Sequence, residues 1–427
     1  MAGLIVRYFT DELLGLIVDP RNVRGRRWKS CLPLLKALFL GLACGCKGLK
    51  EVEEMTAEMP RAVRKTLGIP KRIPDTTLRD LLCELDPEDL LRVLYVVGYT
   101  KWRQKALHQL ESFPFGVLSQ DGKYPAVRDV GDEEGGVYEY LQVHHDDDGN
   151  ATHGLVRTIT STLVTAVGRP ILGAVPVRGL TNEMGTFQKS FGDMVRIYGR
   201  LFRLVMFDAG ATSEPNAKAV LRAGKHYFFL VANPKWVMHQ TIELLLRDKA
   251  PAARHVEVIS SRKHVVRELT LLPVKETKKN LTLWAHTRTI FKITSETYED
   301  GELKSTRTRY AVSSMETSVL PADKWLELAV LRWGVETSHQ ILDKAFEEDK
   351  RPWISKDAQG SLVVMIARRG VYTILTLFKS VTLRSEENHE LPWRKLMEWC
   401  KDMTKWPNPE ELEGLRTGKF AVPPALA

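Results

Sequence analysis

Apolar residues recur every three or four positions along the first 110 residues, which predicts a series of short amphipathic helices. Prolines separate the helical stretches. Asp75 or Thr76 is predicted to cap one helix, and Asp86 to cap the next with Pro87 in its first turn. The pattern therefore predicts an all-α N-terminal domain over residues 1–110, which we expect to bind DNA or to dimerise.

Beyond this domain, short apolar runs end in acidic residues or glycine, which is typical of strands. Asp121 is predicted at the end of the first strand, just before a turn. Leu204–Phe207 is a continuous apolar run that fits a strand buried on both faces, and Asp208 closes it. With a helix predicted over 181–198, the order β-β-β-α-β-α-β indicates a mixed α/β sheet over residues 111–248.

Residues 249–318 keep the alternating apolar and polar pattern of strands, and they are rich in lysine and arginine. This segment is predicted to be a β-rich insertion. Helical spacing returns over residues 319–385, where one helix is predicted to start at Pro321 and to include Glu336. A strongly apolar helix follows it. Residues 386–427 are predicted to form a C-terminal tail.

The composition is that of a globular protein: 427 residues, 44% hydrophobic and 27% charged, enough for two or three units around a large core. The net charge of +9 favours a polyanionic partner but does not require one. Five cysteines without a CxxC pair predict reduced thiols in a cytoplasm. The apolar run over 31–46 contains Lys36 and is too short to span a bilayer, so we expect no membrane segment.

Three acidic residues could form one site: Asp121 and Asp208 on strands, and Glu336 on a helix. Arg332, Glu336 and His339 fall on one strip of that helix, because residues three and four apart stack on one face. Taken alone, Arg332 and Glu336 are more typical of a surface ion pair. Drawn together, the three carboxylates would form an oxygen-lined site for two Mg²⁺ or Mn²⁺ ions, which suits an in-line phosphodiester displacement.

Several motifs, in this order, resemble those of the DDE transposases of bacterial insertion sequences, in the ISAs-type branch of the IS-four superfamily. The matching stretches are Asp121-Gly122-Lys123, Thr181-Asn182-Glu183, Phe207-Asp208-Ala209, Tyr310 to Ser314, Arg332 to Glu336, and Leu342-Asp343 with Phe346 to Asp349. The resemblance covers nearly the whole chain. It implies an RNase H-like mixed sheet with helices on both faces, a β-rich insertion before the last catalytic helix, and Asp121, Asp208 and Glu336 as the catalytic, metal-binding triad.

The resemblance also implies an activity: cleavage of DNA at transposon ends and joining of the 3′-hydroxyl to target DNA. The implied partners are double-stranded DNA, in the form of terminal inverted repeats and target, and a second copy of the chain. The implied location is the bacterial cytoplasm. After Glu336 the chain departs from the family pattern, and an alternative is therefore a domesticated relative that binds DNA without cleaving it.

Four residues are implied to contact DNA. Arg332, Lys123 and His339 lie in or beside the matching motifs. Trp284 is the candidate within the β-rich insertion, since related transposases with such an insertion stack a flipped base on a tryptophan. The alternative for Trp284 is an ordinary core residue.

Overall fold

A computed structural model describes residues 11–21, 30–107, 110, 112–128, 139–274, 282–350, 352–382 and 391–405. Most of the predicted C-terminal tail over 386–427 lies outside the described residues. The N-terminal region is helical, as predicted. Its helices are α1 (Asp11–Leu14), α2 (Leu32–Ala43), α3 (Leu49–Glu58), α4 (Arg61–Leu67), α5 (Asp75–Glu84) and α6 (Pro87–Arg103).

The two predicted helix caps have different outcomes. Asp86 caps α6 by accepting a hydrogen bond from the Glu88 N–H, with Pro87 as the first helical residue, so this prediction is confirmed. The capping of α5 by Asp75 or Thr76 is wrong, because Pro74 precedes that helix and no side chain caps it. The Asp75 N–H instead donates to the carboxylate of Glu53 at 3.1 Å, so a residue of α3 satisfies this donor.

The rest of the chain alternates between strands and helices. Its strands are β1 (Val117–Arg128), β2 (Gln142–His145), β3 (Ala151–Leu163), β4 (Ile171–Val177), β5 (Leu204–Phe207), β6 (His226–Val231), β7 (Ala253–Ser260), β8 (Lys263–Pro273), β9 (Thr289–Glu299) and β10 (Glu302–Ser313). Its helices are α7 (Glu183–Tyr198), α8 (Glu214–Arg222), α9 (Val237–Leu246), α10 (Ala322–Leu331), α11 (Gly334–Ala345), α12 (Ala358–Leu377) and α13 (Trp393–Lys405).

The ten described strands form one mixed sheet in the order β2-β3-β1-β5-β6-β10-β9-β8-β7, with β4 also paired to β3. Strand β3 pairs antiparallel with both β1 and β4. Strands β1, β5 and β6 run parallel. The β-rich segment continues this sheet, since residues Tyr310 to Ser313 of β10 pair with β6.

Helices cover both faces of the sheet. Neighbouring residues of a strand point to opposite faces. On one face, Phe207 packs against Phe187 of α7, with ring centroids 5.2 Å apart. On the other, Phe228 packs against Phe291, and Phe291 packs against Trp325 of α10 at 5.1 Å. The centre of the sheet is therefore buried on both sides.

Helix α12 is the predicted strongly apolar helix. Within the described ranges, the stretch Ala358–Ser380 is long and apolar enough to cross a membrane by length and composition. Its entire apolar window is buried inside the fold, against α6, α5, α2 and the sheet. We therefore interpret α12 as a core helix.

Candidate active site

Asp121 lies within β1, four residues after the strand begins, and its side chain is 17% exposed. The sequence predicted it at a strand end, and this is wrong. The pairing of β1 with β3 continues past Gly122 to Lys123 and resumes at Ala126 after a bulge. Strand β1 therefore extends several residues beyond Asp121. The backbone partner of Asp121 is Thr160. The carboxylate therefore projects from one face of the sheet.

Asp208 follows β5 directly, as predicted. Its carboxylate accepts a hydrogen bond of 2.6 Å from the Ala209 N–H. In the parallel pair of β1 and β5, Gln120 lies opposite Phe207. The residues that come next, Asp121 and Asp208, are consequently neighbours across two adjacent strands.

Glu336 lies in the first turn of α11. One continuous helix was predicted here, and this is wrong, because α10 ends at Leu331 and α11 starts at Gly334. The Ser119 hydroxyl donates to the Arg332 carbonyl at 3.1 Å, which engages that carbonyl with β1 at the break. Gly334 also packs tightly, since a Cβ there would lie 3.0 Å from Val164. The break thus seats the start of α11 against the sheet.

Arg332 connects two of the three acids. Its Nη2 lies 3.2 Å from Glu336 Oε1, and its Nη1 lies 3.8 Å from Asp208 Oδ1. The arginine side chain is only 5% exposed, while both carboxylates are about half exposed. The pair of Arg332 and Glu336 is therefore not a surface ion pair, and the guanidinium holds Asp208 and Glu336 on the same side of the sheet as Asp121.

The charges of the three acids act on one another. The pKa of Asp121 is raised to about 7, first by burial and then by the negative charges of Asp208 and Glu336. Arg332 opposes this shift, and Glu183 adds to it. The structure therefore brings the three predicted acids into one electrostatically coupled group.

His339 lies on α11 beside Asp121, with its Nδ1 3.6 Å from Asp121 Oδ2. Burial, together with the charges of Arg369 and Lys123, lowers the pKa of His339 well below its usual value. The imidazole is therefore neutral at pH 7. His339 thus lies beside an acid of the site, and its contact with DNA stays a prediction.

Lys123 contacts acidic residues of α11 and of the loop that follows it. Its Nζ lies 2.6 Å from Asp343 Oδ1 and 3.2 Å from Asp349 Oδ1, and its side chain is 11% exposed. The ammonium group thus ties β1 to α11 close to the site. Contact of Lys123 with DNA remains a prediction.

Glu183 is a fourth acid at the site, and the sequence alone assigned it no role. It opens α7, and its carboxylate accepts a hydrogen bond from the Tyr124 hydroxyl. A Cβ on Gly122 would lie 1.9 Å from Glu183 Oε1, and one on Gly210 would lie 2.6 Å from its Oε2. Two glycines thus make room for this carboxylate between β1 and the loop after Asp208, and spacing along the chain gives no sign of that approach.

Trp284 lies elsewhere. Its ring packs against Tyr227 at 5.9 Å and against His286 at 5.8 Å. Tyr227 and Phe229 lie two residues apart on β6, so both point to the sheet face that carries α7. Asp121 and Arg332 meet on the other face. Trp284 is half-buried, so both the core interpretation and the predicted base stacking stay open.

The donor chemistry of the site suits divalent cations. Three carboxylates offer the hard oxygen ligands that Mg²⁺ and Mn²⁺ prefer. Their mutual repulsion, seen in the raised pKa of Asp121, is relieved by a bound cation. In the described part of the chain, no three histidine, cysteine, aspartate or glutamate side chains stand close enough to hold a metal as placed. The acids are thus in electrostatic contact rather than preset in ligating positions.

Comparison with protein-family models gives no match, and comparison with curated proteins gives none. Among solved structures, the chain is similar to that of a piggyBac transposase in a synaptic complex with hairpin DNA, determined by cryo-electron microscopy. The TM-score is 0.46 with 13% sequence identity, over 96% of this chain and 80% of that one. A likeness of this degree carries no inference about activity, and the function proposed below rests on the residues of the site.

Proposed function

We propose that this chain is a metal-dependent transposase of the DDE type with an RNase H-like catalytic core. It cleaves double-stranded DNA at the ends of a mobile element and joins the 3′-hydroxyl to target DNA. The observation that carries the proposal is the convergence of Asp121, Asp208 and Glu336 from two adjacent parallel strands and one helix, with the pKa of Asp121 raised to about 7 by burial and by the other two charges.

The roles of the residues follow from their contacts. Asp121, Asp208 and Glu336 would hold two Mg²⁺ or Mn²⁺ ions, which, when bound, activate the attacking oxygen and stabilise the leaving oxygen of a phosphodiester displacement. Arg332 orients Asp208 and Glu336 through its two ion pairs. His339 is an uncharged neighbour of Asp121, with its Nδ1 3.6 Å from the Asp121 carboxylate.

The remaining features of the proposal are its partners and its location. The basic composition of the chain supports a polyanionic partner, which we propose to be DNA carrying inverted repeats. Pairing of two DNA ends usually requires at least two subunits, so we propose that the chain acts as a homodimer on DNA, in a bacterial cytoplasm. The bacterial insertion-sequence assignment rests on the motif resemblance alone.

Strand cleavage by site variants tests the proposal. The full chain is incubated with supercoiled plasmid in Mg²⁺ or Mn²⁺, and nicking is compared for the parent and for Asp121→Asn, Asp208→Asn and Glu336→Gln. Each substitution should reduce nicking at least about 100-fold, as expected when a unit of catalytic groups is broken. The matched control is Asp300→Asn, which removes an exposed acid from the turn between β9 and β10 and should nick like the parent.

A second measurement does not depend on turnover. Mn²⁺ should raise the melting temperature of the parent, because a ligand that binds only the folded state stabilises it, and should leave the three site variants unshifted. Retained nicking in any one of them would refute the assignment. A parent chain that binds duplex DNA but neither nicks it nor responds to Mn²⁺ would instead identify a DNA-binding protein without cleavage activity.

A further inference from the structure

Three guanidinium groups pack around the ring of Trp333, which lies in the break between α10 and α11. Arg309 is nearest, with its Cζ 4.8 Å from the ring centroid, followed by Arg332 at 5.5 Å and Arg267 at 5.7 Å. Positive groups gather over an aromatic face because the ring carries a negative charge distribution there. Trp333 thus gathers three arginines, one of which, Arg332, pairs with two acids of the site.

The three arginines differ in their acidic partners. Arg332 pairs with Asp208 and Glu336, and Arg267 forms an ion pair with Glu257. Arg309 forms no ion pair with any carboxylate that the structure describes. Among the described residues, its guanidinium lies over the Trp333 ring in a cation–π contact. One guanidinium of the cluster therefore keeps its hydrogen-bond donors available for another group.

Strand geometry directs Arg309 toward the acids. Arg309 and Ala311 lie two residues apart on β10, so they point to the same face. Ala311 belongs to the buried cluster that contains Trp325 of α10. Arg309 is half-buried, and burial together with the charge of Arg332 lowers its pKa. The charges of Glu336 and Asp208 act on it in the opposite direction. The guanidinium therefore lies within the electrostatic field of the site.

Such an arrangement favours an anion. Two arginines side by side in a partly buried position repel one another, and an anion between them relieves that repulsion. The planar fork of a guanidinium matches two oxygens of a phosphate group. A phosphodiester that lies against the acids and their divalent ions would also face Arg309.

We propose that Arg309 binds the phosphodiester group that is cleaved, with Trp333 as the platform that holds its guanidinium in place. This inference rests on the proposed function and adds a substrate-binding residue to it. Arg309 belongs to β10, so the β-rich segment supplies part of the active site itself as well as surface beside it.

The test compares nicking of supercoiled plasmid in Mn²⁺ by the parent, Arg309→Ala, Arg309→Lys and Arg307→Ala. Arg307 is the matched control, because it lies two residues away on the same face of β10 and is exposed. Arg309→Ala should lower kcat about 100-fold, the usual effect of losing one charge-stabilising donor, with KM changed less than about 3-fold. Arg307→Ala should keep the parental kcat.

Two recoveries distinguish phosphate binding from a structural role. Arg309→Lys should regain part of the lost kcat, since it keeps the charge without the fork. Added guanidinium ion at low millimolar concentration should partly restore Arg309→Ala and leave the parent and Arg307→Ala unchanged. Melting temperatures of all variants are measured alongside.

The possible outcomes are separable. If the parent nicks DNA and Arg309→Ala nicks equally fast, the role of Arg309 is refuted and the proposed function stands. If losses in kcat follow losses in melting temperature for Ala and Lys alike, without recovery by guanidinium, Arg309 is a structural residue and the inference is overturned. If the parent fails to nick in either metal, the proposed function fails and this inference fails with it.

Discussion

The imidazole Nδ1 of His339 lies 3.6 Å from the Oδ2 of Asp121, across the contact between α11 and β1. This separation exceeds that of a hydrogen bond. Because burial, Arg369 and Lys123 keep His339 neutral, the ring gives Asp121 no compensating positive charge. Arg332 is therefore the positive group that opposes the rise in the pKa of Asp121.

Asp121→Asn should stabilise the metal-free protein at pH 8. The folded-state pKa is about 7, against an ordinary value of 3.8, so the folded chain retains a proton that the unfolded chain loses between about pH 4 and pH 7. Stability contributed by this group is complete below pH 4 and is lost as the pH rises through 7. The substitution should add about 1–4 kcal/mol to the free energy of unfolding at pH 8, with no gain at pH 4.

Urea denaturation in the presence of a chelator measures this difference. Asp300→Asn serves as the control, since that acid is exposed and lies far along the chain in the β9–β10 turn. An equal gain at pH 4 and pH 8 would show that the effect arises from packing and not from the charge of Asp121.

Arg332→Gln should shift the pH dependence of Mn²⁺-dependent nicking toward higher pH. Arg332 is the positive group that lowers the pKa of Asp121 and pairs with the other two acids, so its loss makes deprotonation harder. We expect nicking at pH 7 to fall about 10-fold or more and to recover partly by pH 8.5. Arg332→Lys, which keeps the charge, should show a smaller shift. A uniform loss at every pH would contradict this explanation.

His339→Asn should leave the pH midpoint of nicking unchanged. Burial lowers the pKa of the histidine well below its usual value, so we assign the acid limb of the profile to Asp121, whose pKa is raised to about 7. The measurement is the full pH profile of nicking for parent and variant. Disappearance of the acid limb in the variant would mean that His339 titrates in this range, contrary to its burial.

Glu348→Gln should destabilise the fold severely. Glu348 is fully buried, with its Oε1 2.8 Å from Arg369 Nη1 and 4.0 Å from Arg368 Nη1. The substitution removes the carboxylate that pairs with the buried guanidinium of Arg369, which costs about 3–5 kcal/mol.

The matched control for this prediction is Glu58→Gln. Glu58 pairs with Lys405 at 2.6 Å, and the glutamate side chain is 57% exposed. Loss of this exposed, solvent-screened pair should change the free energy of unfolding far less than Glu348→Gln does. Urea denaturation of both variants at pH 7 gives the comparison, and equal effects would show that burial of Glu348 does not determine its contribution.

The sequence predicts those parts of the site that depend on local pattern. The apolar run Leu204–Phe207 identified β5 and hence the position of Asp208, because a strand buried on both faces has few polar residues. The end of the strand that carries Asp121 was predicted too early. Its strand is extended by pairing with β3, a contact between distant segments that no local signal at Gly122 reveals.

Contacts between distant segments also account for the other misses. At the break between α10 and α11, the Arg332 carbonyl accepts a hydrogen bond from Ser119, which lies 213 residues away in the sequence. Arg309 approaches the acids only through the packing of β10, and the charges around it resemble those of any exposed strand. Glu183 stands in a matching motif, but its approach to the acids depends on the packing of α7. Periodicity gives the elements, whereas the sheet order decides which of their side chains meet.

Strand β10 is held on both edges: residues 310–313 bond to β6, and the whole strand bonds to β9. Deleting residues 249–318 would remove β10 and expose the backbone donors and acceptors of β6, whose side chains are mostly apolar. A truncated chain would therefore aggregate through the bared strand, even though the three acids lie on other segments. The β-rich segment therefore cannot be replaced as an independent unit. A chimaera must keep the pairing of residues 310–313 with β6.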